Sequence, residues 1–125
     1  MTGRLTPCPD SPNCVSTQAT DPAKRMPALT FEGEPGDARA AILEALVKTP
    51  RARVVKADEG YIHAEFTTLV FRFVDDVEFL IDREARRVDF RSASRVGHSD
   101  LGTNRRRMRK LCRRLETHFR PVPAS

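Results

Sequence analysis

The apolar positions of the chain change period twice, and each change marks an element. Residues 1 to about 35 hold most of the prolines and no sustained periodicity, which predicts an irregular N-terminal arm. A helical pattern begins at Pro35-Gly36-Asp37. There Asp37 can act as the cap, Ala38, Ala41, Ile42, Ala45 and Leu46 recur at helical spacing, and Thr49-Pro50 ends the run. From Arg51 to Arg95 the period is two. Arg53 to Ala57 is a short strand around Val54 and Val55, and Asp58-Glu59-Gly60 turns the chain. In the next strand Ile62, Ala64 and Phe66 share one face, with Tyr61, His63, Glu65 and Thr67 on the other. Leu69 to Asp82 reads as one long run with Phe71, Phe73, Val77, Phe79 and Ile81 on one parity. Asp75 falls on that same parity, so a bulge or break is expected at Asp75-Asp76. After a turn at Arg83 to Arg87, Val88 and Phe90 open a last strand whose apolar parity continues into Ser92 and Ser94. The final stretch returns to helical spacing. Met108, Leu111, Cys112, Leu115 and Phe119 form its stripe, Asp100 or Thr103 its N-cap, and Pro121 its stop.

This order predicts an α+β fold: a helix, an antiparallel meander of four to five strands, and a C-terminal helix. It forms two layers with both helices on the apolar face of the sheet. With 125 residues there is room for one core, placed at 36–120 between the arm (1–35) and a short tail (121–125). No run approaches the length of a membrane-spanning helix. The first residues carry one positive charge and no apolar segment, so no secretory signal is expected and a cytoplasmic location is. No Gly-rich phosphate loop or crossover unit appears, and no cofactor is called for.

Charge changes the picture at one place. The net charge is +5, yet residues 104–120 carry eight basic groups against Glu116 alone, leaving the rest of the chain at −2. A basic helix can meet phosphate, an anionic surface or an acidic partner, or simply be a solvated face. Arg105, Arg106 and Arg107 crowd a helix N-terminus, which disfavours cations and calls for something negative nearby. Asp100 can supply that charge, and so can a bound anion with Ser92, Ser94 or Ser99 donating.

Three cysteines, an odd number without a signal segment, argue for a reducing compartment. Cys8 and Cys14 sit in a turn-rich loop and read first as plain thiols. A small disulfide and a weak metal pair are the alternatives, with only His63, His98 and His118 available to complete a metal site. Cys112 lies on the apolar face of its helix and reads as core.

The outward sheet face is ionic: His63 and Glu65, then Arg72, Asp76 and Glu78, then Asp89, Arg91 and Arg95. The plain reading is a solvated face laced with ion pairs. The functional one has Arg91 and Arg95 holding a carboxylate or phosphate. The densest chemistry lies in the strand-to-helix turn from Arg91 to Arg105, whose expected ligand-binding set is Arg91, Ser92, Ser94, Arg95, Ser99, Asp100, Asn104 and Arg105.

Cys8-Pro9-Asp10-Ser11-Pro12-Asn13-Cys14, then Phe73-Val74-Asp75-Asp76-Val77-Glu78, then Arg91-Ser92-Ala93-Ser94-Arg95-Val96-Gly97 through Asn104 and Arg105, together resemble the domain of unknown function 1499 family. The resemblance spans nearly the whole chain. It implies no particular activity, and family members often carry a signal or membrane segment before the Cys-Pro motif, a segment not expected here from the residues that precede Cys8. The leading reading is therefore a module binding a small anionic or polar ligand at the turn. An enzyme using the carboxylates of Asp75 and Asp76 with Arg91 and Arg95 is the alternative. A protein- or nucleic-acid-binding role for the basic helix comes last, because the phenylalanines are expected in the core and only Tyr61 offers a stacking ring. The ligand reading requires Arg91, Arg95, one of the aspartates and the 92–104 turn to converge on one pocket.

Overall fold

A computed structural model describes residues 4–10, 13–96 and 102–122. The period-two region forms the predicted meander: β3 (Ala52–Ala57), β4 (Tyr61–Thr67), β5 (Val74–Asp82) and β6 (Arg87–Ser94), all antiparallel neighbours. Alternation drives its burial. Ile62, Ala64, Phe66, Val77, Phe79, Ile81, Val88 and Phe90 bury on one face, against Ile42 and Leu46 of α1 (Pro35–Val47) and Met108 and Leu111 of α2 (Thr103–Arg114). Both helices thus cover the apolar face, and the fold is the expected α+β two-layer arrangement.

The long run from Leu69 breaks elsewhere than expected. Asp75 and Asp76 pair regularly with Ser94 and Ala93. The interruption lies at residues 68–73, where the Thr68 amide donates to the Phe73 carbonyl (2.8 Å) and Arg72 takes φ +59°. Phe71 and Phe73 therefore leave the core parity. They stack on each other in the open loop, ring centroids 5.5 Å apart.

The ends of the elements also differ. Glu34 is the N-cap of α1, Pro35 takes the first helical position that its fixed φ suits, and Asp37 lies inside the first turn, where an acid complements the dipole. Gly102, at φ +80°, precedes α2, so Thr103 is its first residue rather than its cap. Asp100 lies outside the described residues. α2 ends at Arg114, and Phe119 reaches the core from a strand, β7 (Phe119–Pro121), which adds to an edge that the periodicity did not reveal.

That edge comes from the N-terminal arm. β1 (Cys14–Ser16) and β2 (Leu29–Phe31) share the free edge of β6, and β2 carries β7 in turn. Cys8 and Cys14 are joined as a disulfide, Cα atoms 5.7 Å apart. This corrects the plain-thiol reading and removes both as metal ligands, because the six-residue separation lets the two sulfurs meet and spends both thiols on one another. No helix is long and apolar enough to cross a membrane among the described residues.

Candidate functional site

β5 and β6 carry polar clusters on both faces, and alternation keeps them apart. Asp75 and Asp76 are chain neighbours and therefore point to opposite sides of the sheet. They do not form a paired-carboxylate site.

On the covered face, the buried Asn104 organises the cluster. Its Oδ1 accepts from Ser92 Oγ (2.6 Å) and Arg107 Nη1 (2.8 Å), while its Nδ2 donates to the Asn13 carbonyl (3.1 Å) and to Ser94 Oγ (3.0 Å). This uses the full capacity of the amide. Asn13 Nδ2 donates to the carbonyls of Ser94 (3.2 Å) and Val96 (2.5 Å). Arg107 Nη2 donates to Asp75 Oδ2 at 2.6 Å, and its guanidinium lies over Phe66, 5.0 Å from the ring centroid. Asp75 is 1% exposed. Its Oδ1 has no hydrogen-bond partner among the described residues. Asp75 thus supplies a negative charge to Arg107, one of the three arginines that crowd the start of α2. Arg105 instead donates to the carbonyls of Ala23 (2.7 Å) and Arg25 (3.4 Å), and no acid pairs with it among the described residues.

On the open face, Arg95 donates through Nε and Nη2 to Asp76 (2.9 Å each) and through Nη2 to Glu65 (2.6 Å), which also accepts from Arg53. His63 Nε2 lies 2.8 Å from Asp76 Oδ1, the oxygen that also accepts from Arg95 Nη2. Arg91 pairs with Glu78 at 3.3 Å, and Glu78 also accepts from the Tyr61 hydroxyl. Charged bonds from Arg53 and Arg95 hold Glu65 below the usual carboxylate range; that from Arg95, helped by His63, does the same for Asp76 against the opposing effect of burial. Burial, then the bond to Glu78, pushes Tyr61 well above the usual phenol value. Arg72 belongs to the 68–73 loop and takes no part in the network. This face matches the plain reading of its sequence, with opposite charges spent on one another.

The expected set therefore divides. Ser92, Ser94 and Asn104 lie together beneath α2, Arg91 and Arg95 lie on the far side of the sheet, Arg105 lies at the flank of α2, and Ser99 and Asp100 fall outside the described residues. Two residues that complete the buried cluster, Asn13 and Arg107, were not in that set.

A third feature had no sequence signal. Beside α2 opens a cavity of about 400 Å³ floored by Met26, Leu29, Phe90 and Phe119. Arg105, Arg109 and Arg113 stand on its α2 side, with Glu116 the acid there. Among the described residues the guanidinium groups of Arg109 and Arg113 make neither a hydrogen bond nor an ion pair. Cys112 also lines the cavity, its thiol pushed up to about 11 by burial. Among the described residues, no group of three His, Cys, Asp or Glu side chains could hold a metal ion.

A small α+β domain, whose three sequence motifs meet in one buried polar cluster, defines the class. Residues 4–115 match the model of the protein family of unknown function DUF1499, and the chain belongs to that family. No curated protein matches the chain.

Proposed function

We propose that this protein is a binding module for an amphipathic anion. Its apolar body would enter the cavity beside α2 and its charged head would meet Arg109 and Arg113. One observation carries the reading: two arginines without acidic partners among the described residues stand over an apolar floor, in a cavity whose volume falls in the roughly 300–1,000 Å³ range of small-molecule sites. Arg105 adds a third charge, so the lip exceeds its single acid by two. Guanidinium groups suit carboxylate and phosphate heads alike. The serines and the asparagine of the turn keep a structural part in this reading, because their hydrogen bonds are already made.

Titration with decanoate, decanol and decyltrimethylammonium tests it. The expected order is the carboxylate first, the alcohol weaker and the cation absent. Replacing both Arg109 and Arg113 by alanine is expected to weaken decanoate by about tenfold or more, the loss of charged hydrogen bonds. Bound decanoate should also slow alkylation of Cys112 at alkaline pH. Decanoate that fails to bind, or binds equally to the double variant, would overturn the reading.

A further inference from the structure

Thr68 to Phe73 joins β4 to β5 and carries the largest exposed apolar group among the described residues. Leu69 is 67% exposed, Val70 78%, Phe71 73% and Phe73 37%. Consecutive apolar residues at a loop tip gain nothing in water, and contiguous exposed groups of this kind mark surfaces that are covered in use. The neck of the loop is pinned: the Thr68 amide donates to the Phe73 carbonyl (2.8 Å), and the Phe73 amide donates to Thr68 Oγ1 (2.9 Å). The tip is thus a built projection on two central strands.

Its charge is one-signed. Arg72 lies within the tip, and Arg51, exposed, adjoins its base through the bond from the Thr67 amide to the Arg51 carbonyl (3.0 Å). No acid occurs between Thr67 and Val74. The carboxylates just below are already engaged, Glu65 by Arg53 and Arg95, Asp76 by Arg95 and His63, and Asp75 by Arg107. What covers such a tip must accept an apolar wedge and carry negative charge around it. A stable protein–protein interface engages roughly 20–30 residues on each partner, against the six of this tip. A bilayer needs only that the side chains sink about 5–10 Å below headgroups that attract arginine.

We propose that the 68–73 loop docks this protein on an anionic membrane surface, with Leu69, Val70 and Phe71 entering the interface and Arg72 and Arg51 meeting lipid phosphates. This is independent of the cavity beside α2.

Flotation of the full chain with phosphatidylcholine vesicles, with and without phosphatidylglycerol, tests it. Binding is expected with the anionic lipid. It should fall more than about tenfold in the Val70→Ser/Phe71→Ser variant and about fivefold in Arg72→Gln. These side chains are exposed, so the fold should survive both changes. The chain has no tryptophan, so Phe71→Trp reports on the tip alone, and its emission should shift to the blue on anionic vesicles. Absence of flotation, an unshifted tryptophan, or equal flotation of the serine variant would overturn the proposal. So would self-association in sedimentation that the serine variant abolishes, which would give the tip to a second copy of the chain. Loss of flotation in Arg109→Ala/Arg113→Ala, with none in the serine variant, would move the lipid contact to α2.

Discussion

At the scale of residues, the Arg107–Asp75 pair is the most exacting contact in the molecule. A buried ion pair adds little net stability, but removing one partner strands the other charge. Arg107→Met should therefore cost about 3–5 kcal/mol by urea denaturation, and adding Asp75→Asn should restore most of it. A single variant as stable as the parent would show that the pair is not tightly held. Asp75 stood out in the sequence because a carboxylate interrupts an otherwise apolar parity. Arg107 did not. Among so many basic groups on α2 nothing distinguishes it, and its partner is 32 positions away. Asn13 is hidden for the same reason, since its contacts to β6 span more than half the chain.

At the scale of elements, the open face of the meander acts as an electrostatic unit centred on Arg95. Glu65 and Asp76 titrate below their ordinary values in the folded chain. Their contribution is thus complete above the unfolded-chain pKa, about 4, and is lost as pH falls through the lower folded value. Arg95→Gln should lower stability at pH 7 only slightly, because the arginine is half exposed and its ion pairs are screened by solvent. The gap between the two proteins should narrow as pH falls below the unfolded-chain pKa and close once both carboxylates are protonated, read in urea titrations. A gap that persists unchanged in acid would assign the loss to packing. Parity alone placed His63, Glu65, Asp76, Glu78, Asp89 and Arg91 on this face. It misplaced Phe71, Phe73 and Arg72, because a hydrogen-bonded loop neck ends the alternation that parity assumes. α2 was extended too far for a related reason: its apolar stripe runs on to Phe119, but an edge strand was available to pair with that residue.

At the scale of the whole molecule, the N-terminal arm is a working part of the fold. β1 and β2 cover the edge of β6, Asn13 ties the arm to the start of α2, and Cys8–Cys14 closes the loop before β1. Reducing that disulfide should lower stability by about 2 kcal/mol, the value for closing so short a loop. Thermal melts with and without dithiothreitol would show this as a drop that Cys8→Ser/Cys14→Ser reproduces and dithiothreitol no longer changes. A melting point indifferent to reductant would show that Asn13 and β1 hold the arm unaided.

Local periodicity by itself determined the α+β class, the four-stranded meander, the two helices and the side of the sheet on which each residue of β4 to β6 lies. Those properties follow from the two-residue and 3.6-residue repeats, which are written into consecutive positions. Tertiary structure alone decided that the motif residues split across the sheet, that Arg107 answers Asp75, and that α2 and the arm leave an apolar hollow between them. Such features arise where distant segments meet, and the spacing of neighbours carries no record of which segments those are.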